Sequence, residues 1–300
     1  MSARLPELSI CIVTWNTRQM LDDCLRSLAE APDAVSREVI VVDNASDDGT
    51  AGMVRERHPE VTLVANADNL GYAAANNQAL RRAVAPLKLL LNADIVVHPG
   101  ALDALVQLMH RRPEAGAAAP RLIRPDGRIQ ASCRTFPTPD VVLYEALGMS
   151  RLFPRSRRFG KYRMTWWGYD QERAVEQPMA SALLLRQEAL DEVGLMDEGF
   201  PIFFNDVDLC KRLGDAGWEI WFTPAATMTH FGGASTSQVR RAMIAQSHRS
   251  FLRFYARHYR GVLPSWQYHG ARMLLRLGCW ARLTSWWLRR WPGGAYDDCR

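Results

Sequence analysis

The sequence lacks a membrane span. Its longest charge-free run of that length, Ile220–Val239, carries Pro224, His230, two glycines and several threonines and serines, which do not suit hydrocarbon. It lacks a CxxC pair: Cys11, Cys24, Cys133, Cys210, Cys279 and Cys299 are scattered and read as reduced thiols, not as a disulfide frame. Met1–Glu7 has neither a basic start nor a small-residue cleavage site, so the expectation is a cytoplasmic protein without an export signal. No internal repeat or low-complexity block occurs. The hydrophobic fraction of 48% and charged fraction of 23% exclude wholesale disorder, and 300 residues allow one large domain or two modest ones.

Charge is divided unevenly. From Gly233 to Arg300 there are twelve arginines, no lysine and two aspartates, and five of the ten tryptophans lie there. The remainder holds 25 basic and 30 acidic side chains. An acidic body with a basic tail suggests chemistry in the one and contact with an anionic surface through the other.

The body opens with alternating strands and helices. Leu8–Thr14, Glu38–Val42, Val61–Ala65 and Leu87–Leu91 are short apolar runs that read as buried strands, and Met20–Ala29, Thr50–Arg57 and Ala73–Ala85 as the helices between them. Such alternation predicts a parallel sheet covered by helices. Further on, Asp126-Gly127 within Arg121–Arg134 signals a hairpin. Phe153–Gln177 reads as a loop, Met179–Leu185 and Glu219–Phe222 as strands, and Val207–Ala216 as a helix. The early strands end in the polar clusters Thr14-Trp15-Asn16, Asp43-Asn44, Asn66–Gly71 and Asn92–Asp94. If the strands are parallel, these clusters meet at the edge where open α/β sheets bind ligands.

In order along the chain stand Ile12-Val13-Thr14-Trp15-Asn16, Glu38–Ser46 (EVIVVDNAS), Asn69–Asn77 (NLGYAAANN), Leu89–Asp94 (LLLNAD), Phe203–Cys210 (FFNDVDLC) and His230–Ser235 (HFGGAS). Over roughly residues 8–236 this set resembles the family 2 inverting glycosyltransferases, in particular their bacterial rhamnosyltransferase-like branch. The resemblance implies an α/β GT-A fold, Rossmann-like with a mostly parallel sheet, over residues 1–236. It implies that Asp43 accepts from the nucleotide base, with Thr14 and Asn16 lining the same pocket. Asn69, Gly71, Asn76 and Asn92 would lie beneath the diphosphate and sugar. Asp94 matches the last acid of the family's DxD element as a metal ligand, and His230 a histidine completing that site. Asp206 matches the catalytic base, with Asp208 as its rival, and Asn205 stands where the family usually has Glu.

The chemistry has its own logic. A departing diphosphate needs its charge neutralised, for which Mg²⁺ or Mn²⁺ is suited. An inverting transfer needs a base on the opposite face of the sugar. On spacing alone, Asn205 also fits an N-cap, with Asp206 and Asp208 complementing the helix dipole. Trp166 and Trp167 fit either stacking on an acceptor sugar or local packing. Arg155, Arg157, Arg158 and Lys161 fit a solvated surface or a contact to an acceptor diphosphate.

Residues 237–300 read as a basic, Trp-rich helical tail. Ile244, Phe251, Tyr255 and Tyr259 lie on one face of a first helix. Met273, Leu277, Trp280, Thr284, Trp287, Leu288 and Trp291 lie on one face of a second, with Arg272, Arg276, Arg282, Arg289 and Arg290 on its other sides. That is the composition of an amphipathic helix in a bilayer interface. Packing on the body or pairing in a homodimer is the structural alternative; no nucleic-acid-binding fold is recognisable.

The expectation is therefore a metal-dependent glycosyltransferase, peripheral on the inner face of the cell membrane. It would move a sugar from a nucleotide-diphosphate donor, dTDP-rhamnose in the branch resembled, to a lipid-linked or polysaccharide acceptor in cell-envelope synthesis. The rival readings are a catalytically silent sugar-nucleotide binding module and a nucleotidyltransferase; the latter would need a triphosphate loop that Thr14–Thr17 does not supply.

Overall fold

The computed structural model describes residues 5–232 and 240–288. β1 (Leu8–Thr14) is followed by α1 (Arg18–Glu30), β2 (Arg37–Asp43), α2 (Thr50–Arg57), β3 (Thr62–Ala65), α3 (Tyr72–Arg82) and β4 (Leu87–Asn92). β1 pairs in parallel with both β2 and β4, and β2 with β3. Helices cover both faces of these strands, so Ile10, Cys11 and Ile12 are all fully buried. That is why the strands read as unbroken apolar runs without alternation.

Three elements follow that the sequence did not signal: β5 (Ile95–Val97), α4 (Ala101–Arg111) and β6 (Ala115–Ile123). β6 opens Ala-Gly-Ala-Ala-Ala-Pro, a composition with little strand preference. Packing explains it, because a Cβ on Gly116 would lie 2.8 Å from Cβ of Trp218. Only small residues let the strand approach so closely.

The chain continues through β7 (Cys133–Arg134), α5 (Pro139–Ala146), α6 (Met149–Leu152), β8 (Arg173–Ala174), β9 (Gln177–Pro178), β10 (Ala182–Arg186), α7 (Gln187–Val193), α8 (Asn205–Asp215) and β11 (Glu219–His230). The sheet order is β3-β2-β1-β4-β10-β6-β11-β5, with β8 on the side of β11. β10 runs antiparallel to β4 and β6, and β5 antiparallel to β11. The expected hairpin turn forms, with Arg124 N–H donating to the Arg128 carbonyl at 2.8 Å. Its return arm makes only the Ile123–Ile129 bridge, and Cys133–Arg134 pairs with β9 instead. β11 outruns the expected Glu219–Phe222 by eight residues. A register shift between Thr223 and Thr227 takes up Pro224, which has no N–H to give.

Two helices complete the described chain, α9 (Arg240–His258) and α10 (Ser265–Leu288). Phe254, Tyr255, Tyr259, Tyr268, Ala271 and Leu275 share a core with Val142 and Phe200 of the body. The Tyr255 hydroxyl donates to the Pro137 carbonyl at 2.6 Å. The packed alternative thus holds for α9 and one side of α10. Contrary to a simple amphipathic helix, α10 is apolar on a second side as well: Trp266, Met273, Leu277 and Trp280 are exposed. Gly233–Ser235, Arg289, Arg290 and Trp291 lie outside the described residues, as do the side chains of Arg282, Trp287 and Leu288. Among the described residues, no helix is long and apolar enough to cross a membrane.

Candidate active site

A cleft of about 650 Å³ opens at the carboxyl ends of β1 and β4. The chain order reverses between these neighbours, β2 and β3 lying to one side and later strands to the other. This is the place where doubly wound sheets bind ligands. The cleft takes Thr14, Trp15 and Thr17 from the end of β1, Asn44 after β2, and Asn69, Gly71 and Tyr72 from the entry to α3. It takes Asn92 and Asp94 after β4, Asn205 and Asp206 from α8, and His230 from the end of β11. Asp94, Asp206 and His230, remote in the chain, therefore face one space.

Sheet pairing brings Asp94 to His230. His230 is opposite Ile95 in the antiparallel β5–β11 pair, and Phe231 N–H donates to the Asp94 carbonyl at 3.0 Å. His230 Nε2 then lies 3.4 Å from Asp94 Oδ1. On the other side of the ring, Nδ1 is 2.8 Å from Gln130 Oε1. A side-chain amide oxygen can only accept, so Nδ1 carries a proton. In the neutral ring Nε2 then offers a lone pair on the side of the Asp94 carboxylate, and either a proton or a divalent cation can bridge the two. Among the described residues, no group of three or more His, Cys, Asp or Glu side chains is arranged to hold a metal. Two protein donors fit a cation whose other positions go to substrate oxygens, as phosphate-bound Mg²⁺ commonly is.

Asp206 stands in the first turn of α8. Its Oδ1 accepts from Val207 N–H at 2.8 Å and its Oδ2 from Ala180 N–H at 3.3 Å. Burial nevertheless dominates and pushes its carboxyl above the usual carboxylate range. A carboxylate so placed is a stronger base than an exposed one. Asp208 does not share the cleft. It is fully buried and bound by Arg212 Nε at 2.8 Å, Arg257 Nε at 3.2 Å and His258 Nε2 at 2.8 Å. As the rival base it is therefore corrected: its oxygens are committed to tying α8 to α9.

Other expected residues divide between wall and frame. Thr14 Oγ1 lies 2.8 Å from Thr17 Oγ1, and both line the cleft. Asn69 does too, accepting from Asn44 Nδ2 at 2.8 Å. Asn16, Asp43 and Asn76 adjoin lining residues but are not themselves part of the lining. Asn16 Oδ1 accepts from Asp47 N–H at 2.9 Å, Asp43 Oδ1 takes the Ser46 N–H at 3.2 Å, and Asn76 Nδ2 donates to the Tyr72 carbonyl at 2.9 Å. Trp166 and Trp167 do not line the cleft. Trp167 stacks on Tyr169 at 4.2 Å and meets Phe222 edge-on, so local packing describes it. Trp166 is partly buried against the same cluster, with Arg157 and Arg173 each 5.1 Å from its ring. The five described cysteines are free, and burial pushes the Cys11 and Cys133 thiols up to about 12.

Sequence reasoning missed Asn44, Tyr72 and Gln130 as site residues. Asn44 ties down the Asn66–Gly71 loop, accepting from Leu70 N–H at 3.0 Å. Gln130 carries no signal of its own, because only the turn after β6 delivers it to His230.

Gly71 has φ +85° and ψ 164°, a region essentially reserved for glycine. A Cβ there would lie 3.1 Å from the Pro201 carbonyl oxygen, which also accepts from Ala73 N–H at 3.2 Å. The close approach is thus to protein backbone. Gly71→Ala is expected to lower stability by about 1–3 kcal/mol, read from urea unfolding; a variant as stable as the parent would remove this role.

Residues 9–168 match the family described as Glycosyl transferase family 2. This chain belongs to that family. The N-acetylglucosaminyl-diphospho-decaprenol L-rhamnosyltransferase of Mycobacterium tuberculosis is 31% identical over 265 residues, covering 85% of each chain. The O-antigen biosynthesis protein RfbC of Myxococcus xanthus is 30% identical over 243 residues, covering 77% of this chain and 18% of that one. Among solved structures, the mannosyltransferase PcManGT from Pyrobaculum calidifontis in complex with GDP-Man and Mn²⁺ aligns with a TM-score of 0.59 at 18% identity, over 98% of this chain and 77% of that one. GalNAc-T7 with UDP, GalNAc and Mn²⁺ aligns with a TM-score of 0.55 at 13% identity, over 76% and 44%. At such identities the structures speak for the GT-A fold alone.

This family 2 glycosyltransferase, of the rhamnosyltransferase type, carries two asparagines where the motifs it resembles lead one to expect acids. Asn92 stands where the resemblance expects an acid, and its Oδ1 lies 3.0 Å from the Tyr72 hydroxyl, where it can accept. Asn205 is not the N-cap: that position is Phe204, at φ 68°. Asn205 instead opens the helix, buried, with Nδ2 donating to the carbonyls of Phe200 at 3.2 Å and Ile202 at 3.1 Å. Its Oδ1 accepts the Asp206 N–H at 2.8 Å. A glutamate at 205 could not donate in this way, whereas an acid at 92 could accept from the Tyr72 hydroxyl as the asparagine does.

Proposed function

We propose that this glycosyltransferase moves L-rhamnose from a nucleoside diphosphate donor to a lipid-linked N-acetylglucosamine diphosphate, with inversion at the anomeric carbon. The supporting observation is the sharing of one cleft by Asp206, a base strengthened by burial, and the Asp94–His230 donor pair. The sugar and acceptor follow the activity printed for the relative that matches 85% of this chain.

The acceptor hydroxyl oxygen attacks the anomeric carbon, the bond from that carbon to the diphosphate oxygen breaks, and the hydroxyl proton passes to the Asp206 carboxylate. Ala180 and Val207 N–H groups hold that carboxylate in place. Asp94 Oδ1 and His230 Nε2 would hold a divalent cation, which supplies charge neutralisation for the departing diphosphate. An imidazole among the donors favours Mn²⁺ over the oxygen-seeking Mg²⁺. Asp43, beside the cleft-lining Asn44, would receive the ring N–H that uracil and thymine both offer. A lipid-linked acceptor would bring the enzyme to a membrane surface, and the exposed Trp266, Met273, Leu277 and Trp280 of α10 are suited to meet it.

The test is a transfer panel with dTDP-rhamnose, UDP and GDP sugars, and a lipid-linked N-acetylglucosamine diphosphate, with the product's anomeric configuration read by NMR. Rhamnosyl transfer with inversion is expected, lost to a chelator and restored better by Mn²⁺ than by Mg²⁺. Retention of configuration, or transfer undiminished in chelator, would overturn the mechanism; donor binding without transfer to any acceptor would favour a silent binding module.

A further inference from the structure

A second cavity, open and about 520 Å³, lies at the turn between α9 and α10. Arg260, Ser265, Tyr268, His269 and Arg272 line it. Arg260 is exposed, and neither it nor Arg272 has a carboxylate partner among the described residues. The Arg272 guanidinium instead donates to the Tyr268 hydroxyl and lies 5.1 Å from that ring. No Asp or Glu occurs between Arg240 and Tyr296. Arg253 and Arg257, about two turns and one turn back in the chain on α9, show the contrast, since both are ion-paired to Asp197.

The surroundings are those of an interface. At about 3.6 residues per turn, Ser265, His269, Arg272 and Arg276 form a flank of α10 between its buried side and its exposed apolar stripe. Val262 and Trp266, both 75% exposed, flank the cavity. A helix lying with Trp266, Met273, Leu277 and Trp280 in the acyl boundary would hold this flank at the level of lipid phosphates. Arginine stems can lie along apolar surface while the guanidinium stays with polar groups.

From this we infer that the α9–α10 turn is a binding site for the phosphate headgroup of an anionic phospholipid, with Arg260 and Arg272 as its cationic arms and Ser265 and His269 as hydrogen-bonding walls. The inference rests on the membrane reading above and assigns it a specific locus. Arginine suits phosphate because its planar fork can bond two oxygens at once. The cavity is separate from the catalytic cleft and shares no lining residue with it.

Sedimentation of the full chain with vesicles tests this. Vesicles of phosphatidylcholine alone are compared with vesicles containing phosphatidylglycerol, for wild type, Arg260→Gln, Arg260→Gln/Arg272→Gln and a control of equal charge loss, Arg249→Gln/Arg276→Gln. The parent is expected to prefer the anionic vesicles. At the roughly fivefold per arginine that a surface charge is worth, Arg260→Gln weakens that preference about fivefold and the pocket pair about 30-fold or more, beyond the control. Arg260 is exposed and has no carboxylate partner among the described residues, so its single variant keeps the test valid should the pair not fold. Equal losses in pocket and control pairs would mean diffuse charge and overturn the site. Saturable binding of inorganic phosphate without any phosphatidylglycerol preference would also overturn it, assigning the cavity to a free anion. Transfer to a short-chain, water-soluble acceptor, measured in parallel, is expected to survive in the pocket variants. Its absence from wild type would mark failure of the transferase reading separately.

Discussion

Asp206→Asn is expected to lower the rate constant for transfer by about 10²–10⁴-fold, the usual contribution of a general base, with donor affinity unchanged. Asparagine keeps an oxygen for the Val207 or Ala180 N–H but cannot take a proton. Burial raises the Asp206 pKa. A base must be unprotonated, so activity should rise with pH through that raised pKa and fall below it. Its acid limb should therefore lie at higher pH than an ordinary carboxylate would give, near 4 for a free aspartate. A rate profile from pH 4 to 8 checks this; an Asp206→Asn enzyme with a parental rate would remove Asp206 as base.

Asp208 should behave in the opposite way. Burial opposes its ionisation, but the hydrogen bond from His258 and the charges of Arg212 and Arg257 outweigh burial and hold its carboxyl below the usual range. A lowered folded pKa means stabilisation that is present above the unfolded value, about 4, and lost as pH falls through the folded value. Asp208→Ala strands two guanidinium groups and the His258 ring around a buried site and is expected to cost about 3 kcal/mol. That is the low end for a broken buried pair, because Arg257 is 41% exposed and partly screened. Urea unfolding at pH 7 and pH 3 reads it: the gap between parent and variant should shrink at pH 3. A fully stable Asp208→Ala enzyme that cannot transfer would reverse the roles of the two aspartates.

Why the sequence left that choice open is geometric. Residues two apart on a helix point to nearly opposite sides, so only one of Asp206 and Asp208 can face the cleft. The decision comes from His258 and Arg257, about fifty residues later, which claim Asp208. The first four strands were legible because a strand buried on both faces must be apolar throughout, and Asp94 because strand ends are where such a sheet exposes polar groups. β6 was not, since its alanines answer to the bulk of Trp218 rather than to strand preference. Trp167 was ambiguous for a related reason: an aromatic in an irregular segment fits a ligand platform as well as local packing until Tyr169 and Phe222 are seen to enclose it. The tail's apolar spacing was visible, yet α9 and one side of α10 use theirs against Phe200 and Val142, a partnership that spacing alone does not encode.

Asp94 and His230 are expected to act together on the diphosphate while Asp206 acts elsewhere in the same cleft. Calorimetric titration of a nucleoside diphosphate, with and without Mn²⁺, into wild type, Asp94→Ala, His230→Ala and Asp206→Asn separates these roles. The predicted result is Mn²⁺-dependent binding that falls roughly tenfold or more in the Asp94 and His230 variants and persists in Asp206→Asn. Undiminished Mn²⁺-dependent binding in both the Asp94 and the His230 variants would contradict it.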